Sequence, residues 1–335
     1  MTNERPVGLK SVLSAVIGNF LVASLKIVGF AFSGSAVMLS EGIHSIADTA
    51  NQALLMVGIK RGEKPADDKF NYGYRQERFF WALISACGIF FLGAGVTTYH
   101  GINALILHEK AHLSSWLFLI LFLSFIFESY TLYVAFTELK AHGRKGSLIK
   151  HLKNSADPTI LAVICEDSVA LIGIVIAFMS LILTEITGIY YFDGIGSVLI
   201  DLLLGFMAIM LIKLNRDYLL AKAVPKHVQK EISTILKRQS LIESVHDLKT
   251  AVITTDGYRI KAEIEIDGRV LAKKILRSRD FKKEFDEIDT YHDFVKFCSE
   301  FADEVTRTLG KEIDSLECTI CAEVPAIKHI DLETN

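Results

Sequence analysis

Ser40 to Asn51 reads SEGIHSIADTAN and lies inside an apolar run from Ala36 to Ile59. Glu41, His44, Asp48 and Asn51 are spaced three, four and three residues apart. At roughly 100° per residue they share one helical face, while Leu39, Ile43, Ala47 and Leu54 keep much of the remaining surface apolar. One reading is a soluble amphipathic helix with its polar stripe toward water. The other is a membrane helix carrying ionisable groups, which are costly in a bilayer and mark functional positions there. An imidazole and a carboxylate one turn apart can grip one metal ion from two directions, because neutral His offers nitrogen and ionised Asp offers oxygen.

Composition favours the membrane. Of 335 residues 51% are hydrophobic, the mean hydropathy is +0.36, and the apolar residues gather in blocks. A net charge of −3 implies no bulk affinity for nucleic acid. Five cysteines, two of them in apolar runs, do not form a disulfide framework pattern. The opening MTNERPVGLK carries charge but no short apolar core followed by a cleavage site, so the first apolar segment is expected to be a retained helix.

Six segments are long enough for the ~20 residues of helix that cross a hydrocarbon core: Leu9 to Phe32, Ala36 to Ile59, Arg78 to Ala104, Ser115 to Leu139, Thr159 to Thr184, and Ile195 to Leu214. Ser33, Gly34 and Ser35 make a tight turn between the first two. The second connection holds Lys60, Arg61, Lys64, Lys69, Arg75 and Arg78, and the fourth holds Lys140, Arg144, Lys145, Lys150 and Lys153. The first and fifth hold no Lys or Arg, and the third only Lys110. The positive-inside bias therefore puts both termini in the cytoplasm or the equivalent compartment of an organelle.

From Arg216 onward charge rises and the apolar runs shorten. The expected division is a membrane domain over residues 1–215 and a water-soluble domain over residues 216–335. In the latter, Lys226 to Arg238 reads as a helix, and Leu248 to Thr255 and Tyr258 to Ile266 as strands around a turn at Asp256-Gly257. Ile260, Ala262, Ile264 and Ile266 alternate with Lys261, Glu263 and Glu265, the period of a sheet with one wet face. Asp267 to Asp289 reads as loop or short helix, Tyr291 to Leu309 as helix, and His329 to Leu332 as a last strand. The order α-β-β-α-β suits a small ferredoxin-like α/β domain.

The fifth apolar segment carries VICEDSVALIG, with Glu166 and Asp167 side by side. Adjacent residues diverge by about 100°, so the two need not serve one task. If Asp167 faces the second helix, His44, Asp48 and Asp167 supply three ligands, with Glu166 or water as a fourth; a salt bridge or packing role is the alternative for either acid. Lys26 and Glu41 lie at similar depths from the turn at Ser33 to Ser35 and are expected to pair, which relieves part of each one's desolvation. Asn19 and Asn51 read as hydrogen bonders between helices. Glu128 and Asp201 are candidates for proton relay or for lining a cavity, with a structural role as the alternative. Cys318 and Cys321 form a CxxC without the second CxxC of a closed zinc site, though Cys298, His292 or His329 could complete one in space. No phosphate-binding loop, dinucleotide fingerprint or nucleophile elbow appears, which argues against an ATP-driven pump and a hydrolase.

Three stretches, GSAVMLSEGIHSIADTANQ, FNYGYRQER and CEDSVALIG, resemble the cation diffusion facilitator family. Together with the ED pair, the tail LGKEIDSLECTICAEVPAIKHIDLE looks most like its zinc transporter 9 branch. The resemblance covers nearly the whole chain. It implies a homodimeric transporter, not an enzyme, that exchanges a divalent metal, usually Zn²⁺, for protons across a lipid bilayer. The metal is then substrate rather than cofactor, with Mn²⁺, Fe²⁺ or Co²⁺ as alternative cargo. The expected location is a bacterial inner membrane, with an organelle membrane as the alternative, for a multi-pass protein. Carried over by motif, the HxxxD of the second helix falls on His44 and Asp48, and the pair of the fifth helix on Val163 and Asp167. Val163 cannot ligate. The expected core is therefore His44, Asp48 and Asp167, with Glu166 beside the ion or carrying a proton. In the loop after the second helix the family's imidazole positions fall on Phe70 and Tyr74, so Asp67 is expected to hold no metal there. A metal-dependent membrane enzyme and a metal sensor that moves nothing are the rivals from other classes.

Overall fold

The computed structural model describes residues 9–107, 114–142, 158–254 and 257–335. The chain divides into two compact units, Met1–Leu220 and Ala221–Asn335. Among the described residues the elements of the first are helices: α1 (Leu9–Ser33), α2 (Ala36–Gly62), α3 (Glu77–Gly88), α4 (Gly95–Leu107), α5 (Ser115–His142), α6 (Pro158–Thr187) and α7 (Tyr191–Leu219). A π-helical segment, Ile89–Ala94, joins α3 to α4, so the expected third span is one rod with a widened turn inside it. Such turns cluster at functional positions.

The α1–α2 junction follows from its residues. Gly34 has φ +67, a left-handed conformation that closes helix C-termini and suits a residue without Cβ. Its N–H donates to the Phe30 carbonyl at 2.8 Å. Ser35 then caps α2, its hydroxyl accepting from the Met38 N–H. A second cap comes from α7: Asp193 accepts from the Ser35 hydroxyl and from the Ala36 N–H, each at 2.6 Å. A carboxylate at the positive end of α2 is favourable, and the two bonds fix where α2 begins.

Among the described residues, five helical spans are long and apolar enough to cross a membrane: Val16–Ser33, Glu77–Ile106, Ser115–Thr137, Val163–Thr187 and Tyr191–Leu219. The expected second span is a helix of 27 residues, about 40 Å at 1.5 Å per residue, but too polar to qualify by composition among the described residues. The reason is where its polar stripe goes. Ser40, Glu41, His44, Ser45, Asp48 and Asn51 are all buried, shielded by α1, α3, α6 and α7 packed around α2. Two apolar clusters flank this band: Val37 and Met38 pack with Leu117, Leu121, Ile174 and Ile200, and Ala47 with Ala86, Leu204 and Met207. The basic residues Lys110, Arg144, Lys145, Lys150 and Lys153, on which the orientation argument leans, lie outside the described residues, as does Asp256 of the expected turn.

The second unit runs α8 (Lys226–Arg238), β1 (Ile242–Val245), β2 (Lys249–Thr254), β3 (Gly257–Ile266), α9 (Gly268–Ser278), α10 (Phe281–Asp286), α11 (Tyr291–Glu323) and β4 (Ile327–Thr334). Strand β3 is central. It takes β4 in parallel along Tyr258 to Ile264, and along its other edge β2 and then β1, both antiparallel. Ile260, Ala262 and Ile264 are fully buried, as the alternation requires, and so are Ile232 and Leu236 of α8 and Ile320 of α11. The expected order α-β-β-α-β survives as α8-β2-β3-α11-β4. Three details differ. A four-residue strand, β1, precedes the expected pair; Asp267 to Asp289 holds two helices, opened by the side-chain caps of Asp267 and Asp280; and α11 continues through the CxxC to Glu323.

Candidate functional site

The buried polar groups of the helical unit converge on one face of α2. Lys26 of α1 donates to Glu41 Oε2 at 2.7 Å and to Ser45 Oγ at 2.9 Å, and both charged side chains are 0% exposed. This is the expected ion pair, with the Ser45 hydroxyl as a further acceptor that the sequence did not suggest. Gly173 of α6 makes room for it: a Cβ there would stand 2.7 Å from Glu41 Oε1. That oxygen receives no hydrogen bond.

One turn further along α2, His44 Nε2 approaches Asp48 Oδ2 at 3.4 Å. Neither ring nitrogen of His44, nor Asp48 Oδ1, has a hydrogen-bond partner. On α6, Asp167 turns toward Thr131 of α5 and leaves Oδ2 buried and unpartnered. Glu128, also on α5 and buried, feels the charges of Asp48, Lys26, Asp167 and His44. Buried polar atoms are nearly always bonded in folded proteins. His44, Asp48 and Asp167 thus leave an imidazole and two carboxylates with unpartnered atoms on two packed helices.

The structure places the four sequence-predicted residues differently. His44 and Asp48 stand together, and Asp167 faces their region from α6 within electrostatic reach of both. No three His, Cys, Asp or Glu side chains among the described residues stand close enough to hold a metal ion. The fourth, Glu166, is engaged elsewhere: Asn51 Nδ2 donates to its Oε1 at 2.6 Å. Asn51 thus is a bonder between helices, as expected, and its partner is the acid beside the site. Val163 packs with Leu132, Ala135, Phe136 and Ile164 against α5, so its side chain lies in an apolar contact between α5 and α6.

Outside this band the candidates carry less. The loop carboxylate of Asp67 is occupied: Oδ1 accepts from the N–H groups of Lys69 and Phe70 at 3.0 and 2.8 Å, and Oδ2 from the Tyr74 hydroxyl at 2.7 Å. The Tyr74 hydroxyl foremost, with the backbone N–H of Phe70, holds the Asp67 carboxyl below its ordinary pKa. Phe70 and Tyr74 lie with ring centroids 4.7 Å apart. Cys318 and Cys321 occupy adjacent turns of α11, the first exposed and the second half-buried, and both are free thiols. Two features went unseen in the sequence. The Asp193 cap pairs positions 157 and 158 residues apart, and its one local signal is an acid in the first turn of α7. The other is a hydroxyl cluster around Asp201.

Comparison with known proteins places these groups in context. The cation efflux transmembrane domain family matches residues 12–220. Over 330 residues, 97% of this chain, the sequence is 35% identical to the proton-coupled zinc antiporter SLC30A9, mitochondrial, of Homo sapiens, of whose length 58% is covered. It is 35% identical over 334 residues to metal tolerance protein C4 of Arabidopsis thaliana, with 73% of that protein covered. The chain thus spans little more than half the length of the human relative.

Proposed function

This chain belongs to the cation efflux family, a family of multi-pass membrane transporters rather than enzymes, and on that premise we propose that it exchanges Zn²⁺ for protons across a membrane. The observation that carries the reading is the donor set on α2 and α6. His44 and Asp48 hold free lone pairs 3.4 Å apart, and Asp167 presents an unpartnered oxygen from the neighbouring helix. A mixed nitrogen and oxygen set suits Zn²⁺ in a tetrahedron, with the ion as substrate. Closing it needs an approach of α6 to α2, or rotation of the three side chains, after which water takes the fourth position.

Metal and protons compete for the same lone pairs. With the ion gone, protons neutralise His44 or a carboxylate; with the ion bound, they leave. That exclusion is the requirement for antiport. Glu166, held by Asn51, sits beside the site as a proton-carrying group. In the full reading α2 is the sixth span, sheltered by the other five, and the membrane domain covers residues 1–215. Residues 216–335 form a ferredoxin-like domain in the cytoplasm, or in its counterpart in an organelle, beside both termini. The mitochondrial name of the human relative supports an organelle membrane in place of the bacterial inner membrane expected first, and the working form is a homodimer.

The test is transport by the purified protein in vesicles loaded with a zinc-sensitive dye. The expected result is dye response driven by an imposed pH gradient and reversed with it. No response under any gradient, with zinc binding intact, would leave a metal-binding protein that moves nothing. Turnover of a substrate without a gradient would make it an enzyme.

A further inference from the structure

Asp201 stands apart from the groups described so far. It lies on α7 between Ile200, which belongs to one apolar cluster, and Leu204, which belongs to the other. It is 1% exposed. Neither carboxyl oxygen meets a hydrogen-bond partner in good geometry, although three hydroxyls lie within looser bonding reach of it: Thr97 of α4, Ser40 of α2 and Ser197 one turn earlier on α7. Their protons are largely committed. Thr97 donates to the Gly93 carbonyl in the π-helical segment at 2.8 Å, and Ser40 and Ser197 bond each other at 2.8 Å. Each hydroxyl has one proton and two lone pairs, so two carboxylate oxygens face at most one free donor and several free acceptors.

An ionised carboxylate in that position would be a buried charge with no counter-charge, which proteins avoid by neutralising the group. From α2, the charged neighbour of Ser40 is Glu41, and Lys26 already holds it at 2.7 Å. From α6, Ile174 and Ala177 pack near Ile200, and from α3 and the π-helical segment come Ala86, Ile89 and Ala94; none carries charge. From α4 the titratable group is His100, one turn beyond Thr97, which acts on Asp193 and sets its ring edge-on to Phe30. The cluster is therefore one donor short of the two carboxyl oxygens. A proton on Asp201 supplies it and lets the acid donate to a hydroxyl lone pair. A hard metal ion is a poorer occupant, since such ions take about six or more oxygen ligands and the cluster offers one carboxylate and three hydroxyls.

We propose that Asp201 is a proton-binding site of this transporter, separate from the His44, Asp48 and Asp167 group. Binding adds a proton to one carboxyl oxygen and removes one buried negative charge; release restores the carboxylate and requires the hydroxyls of Ser40 and Ser197 to turn toward it. Ser40 lies one turn before His44 on α2, so the rearrangement reaches the helix that carries the metal donors. The coupling to transport rests on the proposed antiport; the proton site itself does not.

Two measurements separate these. Infrared difference spectra of the purified protein, recorded as pH is raised, should show a protonated carboxyl band that disappears and that Asp201→Asn lacks at every pH. Asn matches the protonated acid in size and keeps the fold; Asp201→Ala serves as the second variant should Asn disturb the hydroxyls. In dye-loaded vesicles Asp201→Asn should bind zinc with wild-type affinity yet lose one proton of counterflow per ion. A band that persists in both variants, or is absent from wild type at every pH, overturns the site. So does a sodium-dependent rate in wild type that Asp201→Asn abolishes, which would make the cluster a metal cation site. If the wild type moves no zinc at all, the transport reading fails while the infrared result still decides Asp201.

Discussion

Replacing Lys26 by Met should be among the most damaging single changes in the helical unit, and replacing Glu41 as well should repair most of the damage. The two charges are 2.7 Å apart and fully buried. At an effective dielectric of about 20 their attraction is about 6 kcal/mol, offset by a desolvation cost of several kcal/mol per ion. The net worth of the pair is thus small, but removal of one partner strands the other. Lys26→Met or Glu41→Met should each cost about 3–5 kcal/mol. The double variant, an apolar pair of similar volume, should lie near wild type, less the contribution of the Lys26 bond to Ser45, about 1 kcal/mol. Unfolding in mixed detergent micelles, followed by the fluorescence of Trp81 and Trp116, measures the cycle. Additive losses, with the double variant as unstable as the two singles summed, would refute the reasoning, because they would mean the two charges do not compensate one another.

Asp48→Ala and Asp167→Ala should each abolish zinc entry into dye-loaded vesicles while the protein still inserts and elutes as wild type; a normal dye response from either would remove that residue from the site. Glu166→Gln keeps an acceptor for Asn51, so it should retain zinc affinity by titration calorimetry and alter mainly the pH dependence of transport. A loss of affinity as deep as that of Asp167→Ala would make Glu166 a direct ligand. Gly173→Ala sets a methyl 2.7 Å from Glu41 Oε1 and should cost about 1–3 kcal/mol by overpacking, much of it recovered in a Glu41→Asp background. Equal cost in both backgrounds would show that the Glu41 carboxylate is not what the methyl meets.

The helical face of α2 was legible because its evidence is local. Polar residues at three- and four-residue spacing in an apolar run must either meet water or be buried against partners, and all six residues of the stripe are buried. The same stripe explains why composition alone does not qualify α2 as a span. The second unit was legible where a period is long: β3 shows its alternation over ten residues, whereas β1, with four, is too short for any period to stand out. The continuation of α11 keeps its helical period, with Leu309, Ile313, Leu316 and Ile320 three or four residues apart and the last of these fully buried; Gly310, a poor helix former, interrupts that run and hid its end.

Partners are a different matter, and the contrast between two carboxylates makes the point. Glu41 could be matched to Lys26 because both are counted from one tight turn, so helix geometry alone sets them at equal depth. Asp193 had no such common origin with Ser35. Its bonds to Ser35 and Ala36 close a loop of more than 150 residues, and only the packing of α7 on α2 brings the ends together. Asp201 belongs to the same class: its surroundings come from three separate elements, and nothing near it in the chain states that its oxygens are one donor short. Val163 extends the argument to an apolar residue. Motif alignment marks it as a missing ligand, but its packing against α5 assigns it to the contact that holds α6 in place. Val163 and Asp167, four residues apart, share one face of α6, so the anchor and the contact of Asp167 with Thr131 lie one turn apart along the same seam with α5, and in the proposed site a rotation of the Asp167 side chain toward His44 leaves that anchor in place.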